Sequence, residues 1–131
     1  MITIAAIAML SSLLPGTGAS AATADTTRPT TPLWGYSEGF SCLKVILGTT
    51  RSTDNVTPQS VLRYAAFADG EFIGTLIDDG LNGGPWGLLH LKKTGTSWVT
   101  VQAVDAAGNR SAPSRANPVT GYWGSRCAPL I

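Results

Sequence analysis

The sequence predicts an all-β fold of two packed sheets with about seven strands, and three observations carry that prediction. The first is strict alternation near the C-terminal end. Val99, Val101 and Ala103 point to one side, while Trp98, Thr100 and Gln102 point to the other, which is the period of a strand with one buried face. The second is the even spacing of short apolar runs separated by turn residues such as Asp69-Gly70, Thr94-Gly95 and Asp105 to Asn109. The third is length. The 131-residue chain, less an apolar leader, keeps about 110 residues, enough for one domain, and no period of 20 to 50 residues recurs.

The strands are justified in order. A first strand is expected near 33–36. A second is expected over 42–49, with Leu43, Val45 and Leu47 inward, and a third over 62–68, with Tyr64 and Ala66 inward. Asp69-Gly70 is a two-residue hairpin turn, because both positions tolerate positive φ, and the chain returns over 71–77. Residues 78–87 read as a loop, with D-D-G, N-G and G-P in succession, before a strand over 88–92. The strand opening at Trp98 breaks at Asp105 to Asn109, where Gly108 takes positive φ without strain. It is followed by a returning edge strand that tolerates Pro113.

Residues 1–21 read as a secretory signal peptide. Ile2 to Leu14 is apolar apart from Thr3, Ser11 and Ser12, which is shorter than the ~20 residues a membrane span needs. Pro15 and Gly16 end the run, and Ala19-Ser20-Ala21 has the small-x-small form of a cleavage site, with Ala22-Thr23-Ala24 as a second. Arg28 is the first basic residue, so the amino terminus supplies the positive charge or the start lies upstream. A buried strand or helix is the alternative for this run. Residues 22–32 are a Pro/Thr-rich lead-in, 33–123 the domain and 124–131 a tail.

Nine Lys and Arg against eight Asp and Glu leave no basic stripe for nucleic acid or an anionic membrane. A secreted monomer is expected, with no membrane insertion of the mature chain and no cofactor. Catalytic signals fail one by one. Ser41-Cys42-Leu43-Lys44 matches S-x-x-K, but that pair needs a helix, and on a strand positions i and i+3 face opposite ways. His90 is the sole histidine; alternating with Leu89 and Leu91, it is expected to face solvent without the partners of a triad or metal site. Asp78 to Gly83 has Asp and Gly where a calcium loop has them, but Leu89 stands where the closing Glu belongs, so a turn cluster is expected. No enzyme and no metal site are expected. Asn55-Val56-Thr57 and Asn109-Arg110-Ser111 are formal glycosylation sequons on expected loops.

V-T-V-Q-A-V-D-A-A-G-N-R-S-A-P-S over 99–114 resembles the last hairpin of a bacterial fibronectin type III-like domain. Further pieces agree in order: the lead-in Asp25 to Pro32, Val45-Ile46-Leu47 with Ser52-Thr53-Asp54-Asn55-Val56, Tyr64 to Gly70 with its Asp-Gly turn, and Ile73-Gly74-Thr75. The resemblance covers roughly 25–120 and implies an immunoglobulin-like β-sandwich. It departs from the family at Thr49, where a tryptophan is common, and at Ser97, where a corner tyrosine is common. The family topology implies that Cys42, opening the second strand, and Cys127, just beyond the last, are neighbours. In an oxidising compartment they would form a disulfide tethering the tail, with two free thiols as the alternative.

The resemblance implies a non-catalytic module, a spacer or binder at the cell exterior, since such domains in bacteria often accompany polysaccharide-degrading enzymes. Its partner would be an extracellular polysaccharide or cell wall; the alternative is a protein, met through a sheet edge or loops in the manner of an adhesin or inhibitor. The aromatic residues Trp98, Tyr122, Trp123 and Trp86 are the candidate ligand-binding set. Trp98 faces outward on its strand. Either it forms a sugar-stacking platform with Tyr122 and Trp123, or those residues fold over it as a private mini-core, which is the expected outcome. Trp86 is a second stacking candidate or a plug for the sandwich end left underfilled at Thr49.

Overall fold

The computed structural model describes residues 24–127; the expected leader over 1–21 lies outside the described residues. Seven strands form among them: β1 (Trp34–Gly39), β2 (Lys44–Thr49), β3 (Arg63–Ala68), β4 (Glu71–Leu76), β5 (Trp86–His90), β6 (Gly95–Val104) and β7 (Asn117–Gly121). They make two antiparallel sheets, β1-β2-β5 and β4-β3-β6-β7. The fold class is thus the expected two-sheet β-sandwich.

The alternation read from the sequence decides what lies between the sheets. Leu43, Val45, Leu47 and Leu89 come from one side. Tyr64, Ala66, Leu76, Val99, Val101, Ala103 and Val119 come from the other, and all are buried. Each large aliphatic side chain withdrawn from water here contributes about 1.5–3 kcal/mol before entropy is counted. Tyr64 is the largest of the fully buried side chains, and its hydroxyl accepts the Ser52 N–H at 2.9 Å. The β2–β3 loop is thereby fastened to the core. A short 3-10 turn over Gln59–Val61 completes that loop.

The β3–β4 hairpin turns at Asp69 (φ 49°) and Gly70 (φ 85°), as the dipeptide predicts. Before β2, Cys42 (φ 64°) and Leu43 (φ 62°) are left-handed in succession, a conformation unfavourable for leucine. Three contacts hold it there. Leu43 is buried, its N–H donates to the Tyr122 carbonyl, and its own carbonyl accepts from Leu91. Cys42 and Cys127 are disulfide-bonded, with Cα atoms 5.3 Å apart, which ties the chain beyond β7 to the start of β2.

Three expectations need correction. β1 runs further than 33–36, to Gly39, in register with Val45 on β2. β5 begins at Trp86 rather than Leu88, because Trp86 and Gly87 pair with Gly48 and Leu47 and so belong to the sheet. The edge strand after the Asp105 turn does not start at once. Arg110 makes one bridge to Val104, and regular pairing resumes only at Asn117. Between them the chain still runs beside β6, but side chains share the ladder. The Ser111 hydroxyl accepts the Ala103 N–H and the Ser114 hydroxyl the Val101 N–H, both at 2.9 Å. Serine can do this where Pro113 and its neighbours cannot hold strand geometry.

Candidate functional site

The outer face of the four-stranded sheet follows from the same period that builds the core. With Val99 and Val101 turned inward, Trp98 and Thr100 turn outward, and Trp98 is 53% exposed. Thr100 is paired with Phe67 on β3, and Phe67 with Phe72 on β4, so these rings share the outer face with Trp98. Phe67 and Phe72 meet edge to face, centroids 5.9 Å apart, and the Arg110 guanidinium lies 5.9 Å from the Phe67 centroid. Phe72 is itself 52% exposed.

The polar rim of this face is fixed at the hairpin end. The Trp98 carbonyl accepts the Asp69 N–H at 2.8 Å, and the Trp98 N–H donates to Asp69 Oδ1 at 3.0 Å. The Lys93 ammonium lies 3.1 Å from Asp69 Oδ2. The Trp98 N–H first, and then Lys93, hold the Asp69 carboxyl below its ordinary range. An aromatic surface bordered by a fixed carboxylate and a cation can stack an apolar sugar face and hydrogen-bond its hydroxyls.

The four candidate aromatics are not brought together. Tyr122 lies beyond β7 with its ring over Gly39 of β1, where an added Cβ would sit 3.4 Å from the ring; it is 55% exposed. Trp123 is half-buried and packs against the core. Among the described residues the one aromatic pair is Phe67–Phe72, so the expected mini-core over Trp98 does not form there. Trp86 is half-buried on β5 rather than plugging the sandwich end, and its indole N–H donates to Asp79 at 3.0 Å. With Thr75, Ile77 and Leu88 it lines a shallow groove where the edges of β4 and β5 meet. The Phe67–Phe72 pair was missed in the sequence, although the hairpin at Asp69-Gly70 places the two strands side by side.

The remaining candidates resolve as follows. His90 is exposed between buried Leu89 and Leu91. Ser41 and Lys44 flank the left-handed turn and share no helix. The Asp78–Gly83 stretch is a turn cluster. Asp78 accepts the Gly80 N–H at 2.9 Å and is gripped by two Arg51 nitrogens, Nη2 at 3.1 Å. The Arg51 hydrogen bonds overcome burial and hold the Asp78 carboxyl below its usual range. Asp79 is lowered likewise, first by the Trp86 indole N–H and then by the Leu81 N–H. Asn109 is engaged on its side-chain nitrogen by the Asp25 carbonyl (2.9 Å) and Asp105 (2.8 Å).

One grouping was not anticipated. Asp25, Asp54 and Asp105 each place a carboxylate oxygen within 4.8 Å of the other two. They come from the lead-in, the β2–β3 loop and the turn after β6, at the pole opposite the Asp69 hairpin. Sequence spacing gave no signal, since the three are far apart in the chain and each has a local role in its own turn.

Compared with known proteins, the chain matches no protein-family model and no curated protein sequence. Among the described residues no helix is long and apolar enough to cross a membrane.

Proposed function

We propose that this protein is a secreted, non-catalytic module of the fibronectin type III-like kind that binds polysaccharide or cell-wall glycan through the outer face of the β4-β3-β6-β7 sheet. The observation that carries the reading is the 53% exposure of Trp98 on a regular strand, beside Phe67 and Phe72 on the same face. A large ring held rigid by sheet pairing loses little conformational freedom when a sugar stacks on it. The signal-like segment and the disulfide support an exterior location. The resemblance over 25–120 supports the module class.

A second reading has its own observation. Ile77 (62% exposed) and Leu88 (52%) line the groove beside Trp86, an apolar edge suited to a protein partner. Pulldown on cell-wall material and on insoluble polysaccharides, with Trp98→Ala and Leu88→Ser beside the native chain, separates the two. Loss of glycan binding in Trp98→Ala alone supports the first reading. Absence of glycan binding by the native chain overturns it.

A further inference from the structure

The three carboxylates at the lead-in pole present an arrangement that protein groups alone do not satisfy. Each is oriented by its own loop. Asp25 Oδ1 accepts the Thr27 N–H at 3.1 Å. Asp54 Oδ2 accepts the N–H groups of Val56 (3.1 Å) and Thr57 (2.9 Å). The Asp105 oxygens accept the Asn109 N–H at 2.7 Å and its side-chain nitrogen at 2.8 Å. These bonds leave one oxygen each on Asp25 and Asp54. Asp25 Oδ2 and Asp54 Oδ1 are both shut off from water, and neither accepts a hydrogen bond.

Buried carboxylate oxygens without a donor are strongly unfavourable, and three like charges this close add repulsion. No ion pair found among the described residues relieves it; those pairs are Arg51–Asp78, Lys92–Glu71 and Lys93–Asp69. A cation bound among the three carboxylates would remove both penalties. The donor set is all carboxylate oxygen, with no thiolate or imidazole, which selects a hard cation. Oxygens ligating one calcium ion at about 2.4 Å lie no more than about 4.8 Å apart, which the cluster satisfies.

We propose that Asp25, Asp54 and Asp105 form a calcium site that clamps the lead-in segment onto the pole of the sandwich. The lead-in already touches this pole: the Asp25 carbonyl accepts from Asn109, and the Thr30 N–H donates to the Thr53 carbonyl at 2.9 Å. Calcium joins the lead-in, the β2–β3 loop and the β6 turn at one point, and so holds the start of the mature chain against the domain. The site is independent of the glycan reading, since Trp98 lies seven residues back along the strand, roughly 20 Å away at ~3.3 Å per residue.

The test uses the mature chain, stripped with EDTA and titrated with calcium chloride by calorimetry and thermal melts. Magnesium chloride and matched sodium chloride serve as controls. The site predicts one calcium per chain with a dissociation constant of about 0.1–1 mM, the range of extracellular modules, and a melting temperature raised by calcium more than by magnesium. Asp54→Asn keeps an oxygen for the Val56 and Thr57 N–H groups and turns an amide donor toward its neighbours. It is expected to fold, to melt no lower than the calcium-free native chain and to lose the calcium response. Asp25→Asn, outside the sandwich core, is expected to weaken calcium binding at least tenfold. No heat and no melting shift at 10 mM calcium would overturn the proposal, as would a shift matched by magnesium or sodium, or one that survives both substitutions.

Discussion

Ser111→Ala and Ser114→Ala are expected to destabilise the domain well beyond what their size suggests. Each removes one hydroxyl from a short loop segment, and ordinary surface serines tolerate that change within about 0.5 kcal/mol. Here the hydroxyls accept the N–H groups of Ala103 and Val101, in the strand that carries three fully buried residues of the core. Ser111 is 1% exposed and Ser114 4%, so water cannot replace the lost acceptor without opening the edge. An orphaned buried amide costs about 1–3 kcal/mol, which for a domain of this size lowers the melting temperature by roughly 5–20 °C. The double substitution is expected to cost more than either alone, though the two sites are too close for strict additivity. Urea melts give the energy, and amide hydrogen exchange at Val101 and Ala103 locates it. Ser37→Ala on exposed β1 is the control. If both single variants melt like the control, with protection at Val101 and Ala103 unchanged, the side-chain ladder does not hold that edge.

Two further outcomes follow from buried or paired groups. Tyr64→Phe keeps the ring in the core but leaves the buried Ser52 N–H without its acceptor, so a loss of about 1–3 kcal/mol is expected in urea melts; a variant as stable as the native chain would contradict that bond. The carboxyls of Asp69, Asp78 and Asp79 are held below their ordinary values by Trp98 and Lys93, by Arg51 and by Trp86 respectively. Depressed folded values mean stability fully present above the unfolded value of about 4 and lost as pH falls through the folded ones. The melting temperature is therefore expected to be flat above about pH 5 and to drop below about pH 4, with Arg51→Gln removing part of the drop; a melting temperature that rises on acidification would refute this.

How much of this was legible depended on whether the cause was local. β2, β3 and β6 were readable because one buried face imposes period two on Val45 and Leu47, on Tyr64 and Ala66, and on Val99, Val101 and Ala103. The β3–β4 hairpin was readable because Asp69-Gly70 accepts positive φ. The delayed start of β7 was not, because serine hydroxyls standing in for backbone carbonyls leave no periodic trace. Nor was the start of β5, since a glycine and proline before Trp86 look like loop while Trp86 itself pairs with Gly48. The exposure of Trp98 depended on where Tyr122 and Trp123 go, and the disulfide and the Leu43–Tyr122 bond draw that segment toward β1 and β2 instead. The Asp25, Asp54 and Asp105 cluster is a product of tertiary folding alone, joining three turns that sequence spacing keeps apart.

The most direct test of the binding account is a pair of isotherms on purified cell-wall polysaccharide, native chain against Trp98→Ala, with a denaturant melt of each. Trp98 is half exposed on the outer face, so its removal is expected to cost about 1 kcal/mol of stability or less, the scale of a cross-strand contact. A stacked aromatic ring contributes about 1 kcal/mol or more beyond the area it covers, so the same substitution should weaken binding at least several-fold. Retained binding in a Trp98→Ala variant, or a stability loss near 3 kcal/mol with binding intact, would show that the ring serves packing and that the sheet face is not the site.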